Sequence, residues 1–218
     1  MAYKNGETMR LEEVRDMGIN PNAILDIGAH TGQFHSWAKR VWPDAGIFMI
    51  EANKLHEATL DRLAMMNGDR YLITALGDEE REVTFYTRSD KPHTEGNSYY
   101  KESAWWDIPQ LVQESKVTLQ KLDNIFEEEA VFDLIKIDTQ GSELDILKGG
   151  EKLISKATIV VLEIAFIEYN EGAPTSEELT NYMNSIGFEE KMCIGEHISN
   201  EPKWKDVIVQ KDLVFLKK

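Results

Sequence analysis

Short apolar runs alternate with amphipathic stretches along most of the chain, a pattern that predicts βαβ units around a parallel sheet. Residues 23–27 (AILDI) read as a buried strand ending at a glycine. Over 32–41, Phe34, Trp37, Ala38 and Val41 share one helical face, and Pro43 stops the helix. A second strand at 47–50 and a second amphipathic helix at 55–66 follow, then strands at 71–76 and 82–86 joined by a turn at 77–80. From 87 to 106 (TRSDKPHTEGNSYYKESAWW) the periodicity disappears. An insertion over 87–116 is expected to serve as a substrate or lid loop, because long loops in compact domains are often functional. Next come a strand-then-helix element at 117–125, a strong strand at 132–137 (FDLIKI) and a helix from Ser142 toward Leu147. The most apolar strand, 158–164 (TIVVLEI), belongs in the sheet's interior. A helix over 176–186 closes at Gly187. Strands at 188–193 and 213–216 have no helix between them, which predicts an antiparallel pair.

Length and composition narrow the class. At 218 residues the chain fits one domain over 1–218, with 1–22 as an N-terminal extension. The 42% hydrophobic and 29% charged content is that of a globular protein. The single cysteine, Cys193, rules out an internal disulfide framework and a multi-cysteine metal site. No apolar run is long enough to span a membrane, and the start (MAYKNGETMR) lacks the apolar core of a secretory signal, so a cytoplasmic location is expected. The excess of 39 Asp+Glu over 24 Lys+Arg, net −15, repels phosphate backbones and argues against a nucleic acid partner. Oligomeric state is not fixed by any of this, and a homodimer stays open.

The chemistry concentrates where strands end. In ILDIGAHTGQF, Gly28 and Gly32 allow a tight strand-to-helix turn and a close approach to a ligand. Asp26 precedes the first glycine, in a D-x-G-x-x-x-G spacing that differs from the G-x-G-x-x-G of dinucleotide folds. A carboxylate there suits a cationic amino acid moiety, such as that of S-adenosylmethionine, better than a pyrophosphate. Glu51, at the tip of the second strand, suits two ribose hydroxyls. Asp138 ends a buried strand, where open α/β sheets place their ligands, and Ser142 is the expected N-cap of the next helix.

With these segments in order, the chain resembles the FkbM family of S-adenosylmethionine-dependent methyltransferases. The resemblance rests on ILDIGAHTGQF, MIEAN, ITALGDEEREVTFY, VTLQKLDNIF, DLIKIDTQGSELDILKGGEKLI and VVLEI, spanning roughly residues 24 to 164. It implies the α/β, Rossmann-like class I methyltransferase fold, a doubly wound and mostly parallel seven-stranded sheet with an antiparallel C-terminal strand. It also implies that Asp26, Gly28, His30 and Gly32 line the cofactor's methionine end. Glu51, with Ala52 beside it, would meet the ribose, Ala75 and Leu76 the adenine, and Asp138 the methionine moiety or the transferring methyl. Two positions depart from the family pattern: His30 stands where Asn or Gly is common, and Gln140 where Glu is common.

Methyl transfer to a hydroxyl needs a base. Asp138 is the first candidate by location, with His35 and His93 behind it. Asn97, Ser98 and Tyr99, with the pair Trp105 and Trp106, are the expected acceptor contacts, since aromatic faces stack on sugar rings and exclude water. Glu163 ends the most buried strand and joins that set. Asp138 and Glu163 are only two carboxylates, so no metal is predicted. The expected acceptor is a hydroxyl on a sugar, glycan or natural-product-like small molecule. One alternative, a nicotinamide-dependent oxidoreductase, is disfavoured because G-x-G-x-x-G and Tyr-x-x-x-Lys are both absent. The other is a protein that binds S-adenosylmethionine without turnover.

Overall fold

The computed structural model describes residues 9–91, 96–103, 108–199 and 204–218. Its main sheet contains β1 (Ala23–Ile27), β2 (Gly46–Glu51), β3 (Arg70–Ile73), β7 (Leu134–Ile137), β8 (Ile159–Ala165), β9 (Phe188–Ile198) and β10 (Ile208–Lys217). The seven strands lie in the order β3-β2-β1-β7-β8-β10-β9. β3, β2, β1, β7 and β8 run parallel, and β10 pairs antiparallel with both β8 and β9. This is the Rossmann-like methyltransferase arrangement, with the antiparallel closing hairpin expected from the sequence.

Strand periodicity divides the core into two layers. Leu25, Ile27, Ile135, Ile137, Val160 and Leu162 face the layer covered by α4 (Glu143–Gly149), α5 (Glu151–Ile154) and α6 (Ser176–Ser185). Ile24, Leu134, Ile159 and Val161 face the other, with Phe34 and Ala38 of α2 (Gln33–Val41) and Leu60 and Ala64 of α3 (Glu57–Asn67). Because successive side chains alternate between faces, Asp26 and Lys136 fall on this second face among apolar neighbours. The two are register partners on β1 and β7.

Several boundaries differ from expectation, each for a physical reason. The expected strand at 71–76 divides at Thr74, whose amide donates to the Glu51 backbone carbonyl. Ala75–Leu76 then leaves the main sheet as β4 and pairs with β6 (Val112–Gln120), which also pairs antiparallel with β5 (Glu82–Arg88). The ends of the expected 87–116 insertion are therefore strand: Thr87 faces Gln113 and Arg88 faces Val112. β6 is exposed along most of its length, so cross-strand pairing holds a segment with little apolar periodicity. Within the expected N-terminal extension, α1 (Leu11–Asp16) buries Leu11 and Val14 completely, and the Arg10 amide donates to the Ile194 carbonyl. β9 and β10 run well past the apolar stretches that marked them, carrying His197, Gln210 and Asp212 into buried positions. Among the described residues no helix is long and apolar enough to cross a membrane.

Candidate active site

A cavity of about 380 Å³ opens at the carboxyl ends of β1, β2, β7 and β8. Its volume lies in the usual range for small-molecule sites. Gly28 forms its floor with φ +77°, and a Cβ there would sit 1.7 Å from the Asp138 carbonyl oxygen. The residue must be glycine because β7 closes directly over it. The Gly28 and Ala29 amides both donate to the Ile50 carbonyl, joining this turn to the end of β2.

Glu51 is buried on the cavity wall, with each carboxylate oxygen held by one backbone amide. The His30 amide donates to Oε2 and the Asn53 amide to Oε1, both at 2.7 Å. Burial raises its pKa above the ordinary carboxylate value, and these two amides work against that rise. Each oxygen keeps a further lone pair for a ligand hydroxyl. Ala52, Ala75 and Leu76 line the same cavity, as does His30, whose ring packs against that of His56 at 4.3 Å. His30 has φ +50°, so its backbone turns its amide inward toward Glu51.

At the opposite end, charges are tightly interlocked. Lys136 is buried and its Nζ donates to the Gly28 carbonyl at 3.0 Å. The same Nζ lies 3.4 Å from Asp26 Oδ1 and 3.2 Å from Asp138 Oδ2. Burial favours the neutral amine, but Asp138 and Asp26 outweigh it and hold the ammonium charged. For Asp138, burial is in turn outweighed by Lys136 and by hydrogen bonds from Glu163, Lys136 and Gln140, so its pKa falls below the usual range. Burial, reinforced by the charges of Asp138 and Asp212, drives Glu163 well above its ordinary value. Gln140 links the two acids: its Nε2 donates to Asp138 Oδ1 at 3.3 Å and to Glu163 Oε2 at 2.6 Å.

The sequence-predicted residues divide accordingly. Gly28, His30, Glu51, Ala52, Ala75, Leu76, Asp138 and Glu163 line the cavity, as do Asn97, Ser98 and Tyr99 from the segment between β5 and β6. Asp26 does not line it. Asp26 is fully buried, and the cation it faces is the chain's own Lys136, so its expected contact with a ligand amino group is corrected. Gly32 serves packing instead: at φ +79° it precedes α2, and a Cβ would strike Leu63 Cδ1 at 2.2 Å. His35 is also corrected, since it is buried away from the cavity with Nε2 2.8 Å from Asp69. Ser142 precedes α4 without capping it. Glu143, the first residue of the helix, instead folds back on the preceding turn, accepting from the Thr139 and Gly141 amides at 2.8 Å and 3.0 Å. His93, Trp105 and Trp106 lie outside the described residues.

Five residues escaped the sequence reading. Lys136 was visible as a lone charge inside an apolar strand, and Glu143 as an acid at a helix start. Gln210 and Asp212 belong to a polar triplet, QKD, that interrupts the apolar run VIVQKDLVFL, whereas His197 carries no comparable signal. A second cavity of about 470 Å³ adjoins the first, sharing Gln140, Glu163 and Gln210 as its wall.

This strand order, with its cavity at the strand ends, defines a Rossmann-like methyltransferase. The chain belongs to the FkbM methyltransferase domain family, whose profile matches residues 26–190. It is similar in structure to the FkbM methyltransferase from Methylobacillus flagellatus KT, with 18% identity and a TM-score of 0.56. That match covers 89% of this chain and 43% of the other, so the chain spans less than half of that relative's length. A S-adenosylmethionine-dependent methyltransferase from Clostridium acetobutylicum ATCC 824 matches with a TM-score of 0.54 and 9% identity, covering 95% of this chain and 88% of the other. TehB from Haemophilus influenzae matches with a TM-score of 0.56 and 9% identity, covering 99% of this chain and 64% of the other. At such identities these likenesses show the fold alone. Comparison with curated proteins gives no match.

Proposed function

We propose that the protein transfers the methyl group of S-adenosylmethionine to a hydroxyl of a sugar, glycan or natural-product-like small molecule. The observation that carries this reading is the buried Glu51 carboxylate, fixed by two backbone amides on the wall of a ligand-sized cavity. A pre-oriented acceptor of that kind suits a pair of ribose hydroxyls. Ala75 and Leu76 beside it offer an apolar surface for a base, and Asp138 stands across the cavity.

When bound, S-adenosylmethionine supplies a methyl group on a sulfonium with a neutral thioether as leaving group. The chain's own residues orient the acceptor and exclude water. Asp138, held ionised by Lys136, is in the form that accepts a hydrogen bond, and at the transfer step a proton, from the acceptor hydroxyl. Tyr99 and Asn97 also line the cavity, and the second cavity beyond Gln140 and Glu163 is the proposed seat for the rest of the acceptor. On this reading residues 1–218 act as one catalytic domain, with the excursion between β5 and β6 serving as its acceptor platform.

Incubation with methyl-labelled S-adenosylmethionine and a panel of sugar and glycan acceptors tests the reading. A labelled methyl ether, lost with Asp138→Asn, is the expected product. Cofactor binding without transfer to any acceptor supports the non-catalytic alternative.

A further inference from the structure

Beside the transfer site, three strands bring together one imidazole and two carboxylates. Glu163 lies near the carboxyl end of β8, Asp212 is its direct register partner on β10, and His197 lies on β9. The two β10–β9 register shifts that flank residues 210–212 set this local alignment, in which Gly195 pairs with Asp212 and His197 with Gln210. All three side chains are more than nine-tenths buried, and one ligand atom from each lies within 4.8 Å of the others. His197 Nε2 is 3.5 Å from Glu163 Oε1 and 3.7 Å from Asp212 Oδ2.

These separations exceed ordinary hydrogen-bond lengths. They approach the roughly 3.3–3.6 Å edges between ligand atoms that each lie about 2.0–2.2 Å from one tetrahedral ion. The orientation of Glu163 points the same way. Gln140 and Gln210 both donate to its Oε2, at 2.6 Å and 3.0 Å, which leaves Oε1 turned toward His197. Outer amides that fix a carboxylate in this way are the usual support for a ligating oxygen. An imidazole with two carboxylates is a nitrogen–oxygen donor set suited to Zn²⁺ or Mn²⁺. Glu163 and His197 line the first cavity and Glu163 and Gln210 the second, so a bound ion has room for exogenous ligands.

We propose that Glu163, His197 and Asp212 form a binding site for one divalent cation of the Zn²⁺ or Mn²⁺ type. A role for that cation in transfer, holding an acceptor oxygen beside Asp138, rests on the methyltransferase function proposed above. Binding of the cation does not.

The chelator-treated 218-residue protein, without S-adenosylmethionine, is titrated with ZnCl₂ by calorimetry and with MnCl₂ by electron paramagnetic resonance. One equivalent of either cation is expected to bind, at least about tenfold more weakly in Asp212→Asn and in His197→Ala. Glu129→Gln, a change at an exposed carboxylate, leaves the affinity unchanged. Should either site variant fail to fold, the wild-type melting temperature decides, because a cation held only by the folded state must raise it. Binding equal in wild type and site variants, or no cation-dependent rise in melting temperature, overturns the proposal. Cofactor titration without metal tests the methyltransferase reading separately, so failure of one does not masquerade as failure of the other.

Discussion

The Lys136 ammonium lies 3.4 Å from a carboxylate oxygen of Asp26, a residue with no solvent exposure, on the adjacent strand. Removing one member of a buried ion pair strands the other, at a cost of about 3–5 kcal/mol. Lys136→Met is therefore expected to destabilise the fold by that order in urea unfolding. The double variant with Asp26→Asn should lose less than the sum of the two single changes, because the stranded charge is gone. Additive losses would show that the two groups do not interact.

Gly28 is held to its identity by backbone geometry. A Cβ placed 1.7 Å from the Asp138 carbonyl oxygen requires β1 and β7 to separate at the cavity floor. Gly28→Ala is expected to cost about 1–3 kcal/mol through overpacking and to weaken ligand binding as well. Gly68→Ala is the control: it shares the positive φ but has no atom within 4 Å of the added Cβ, so it should keep ligand affinity.

Tyr99 and Tyr100 both donate to Asp145 Oδ2, at 3.0 Å and 2.9 Å. Burial first, and then the Asp145 carboxylate, push both phenols above their ordinary value of 10.0. Below pH 10 both phenols are protonated in the folded and unfolded states, and the shift leaves stability unchanged. Above it the unfolded chain releases protons that the folded chain keeps, so stability falls as pH rises. The wild-type melting temperature should decline past pH 10 more steeply than that of the Tyr99→Phe/Tyr100→Phe variant. Equal slopes would show that the pair does not hold its protons in the fold.

How much of this was legible in the sequence followed from how each part is stabilised. β1, β7 and β8 are buried on both faces, and their ends could be read to within a residue or two. β6 was read short because pairing, not burial, defines it. Glu51 and Asp138 could be placed at the cavity because it opens at the strand ends, where the sequence reading had put them. Asp26 misled for a specific reason: its partner, Lys136, sits 110 residues away, and only strand register brings the two together. His197 and Asp212 were missed on the same ground, since no local motif joins residues on three different strands. His35 looked chemically available at a helix start, but tertiary packing directs it to Asp69.

The central claim is that the Glu51 end of the cavity holds S-adenosylmethionine. Calorimetric titration of the wild type and of Glu51→Ala with S-adenosylmethionine, S-adenosylhomocysteine and NAD tests it most directly. Binding of both sulfur ligands at about micromolar Kd, corresponding to roughly −8 kcal/mol, is expected, with loss in the variant and no binding of NAD. Absence of binding by either sulfur ligand, or binding of NAD in their place, would contradict it.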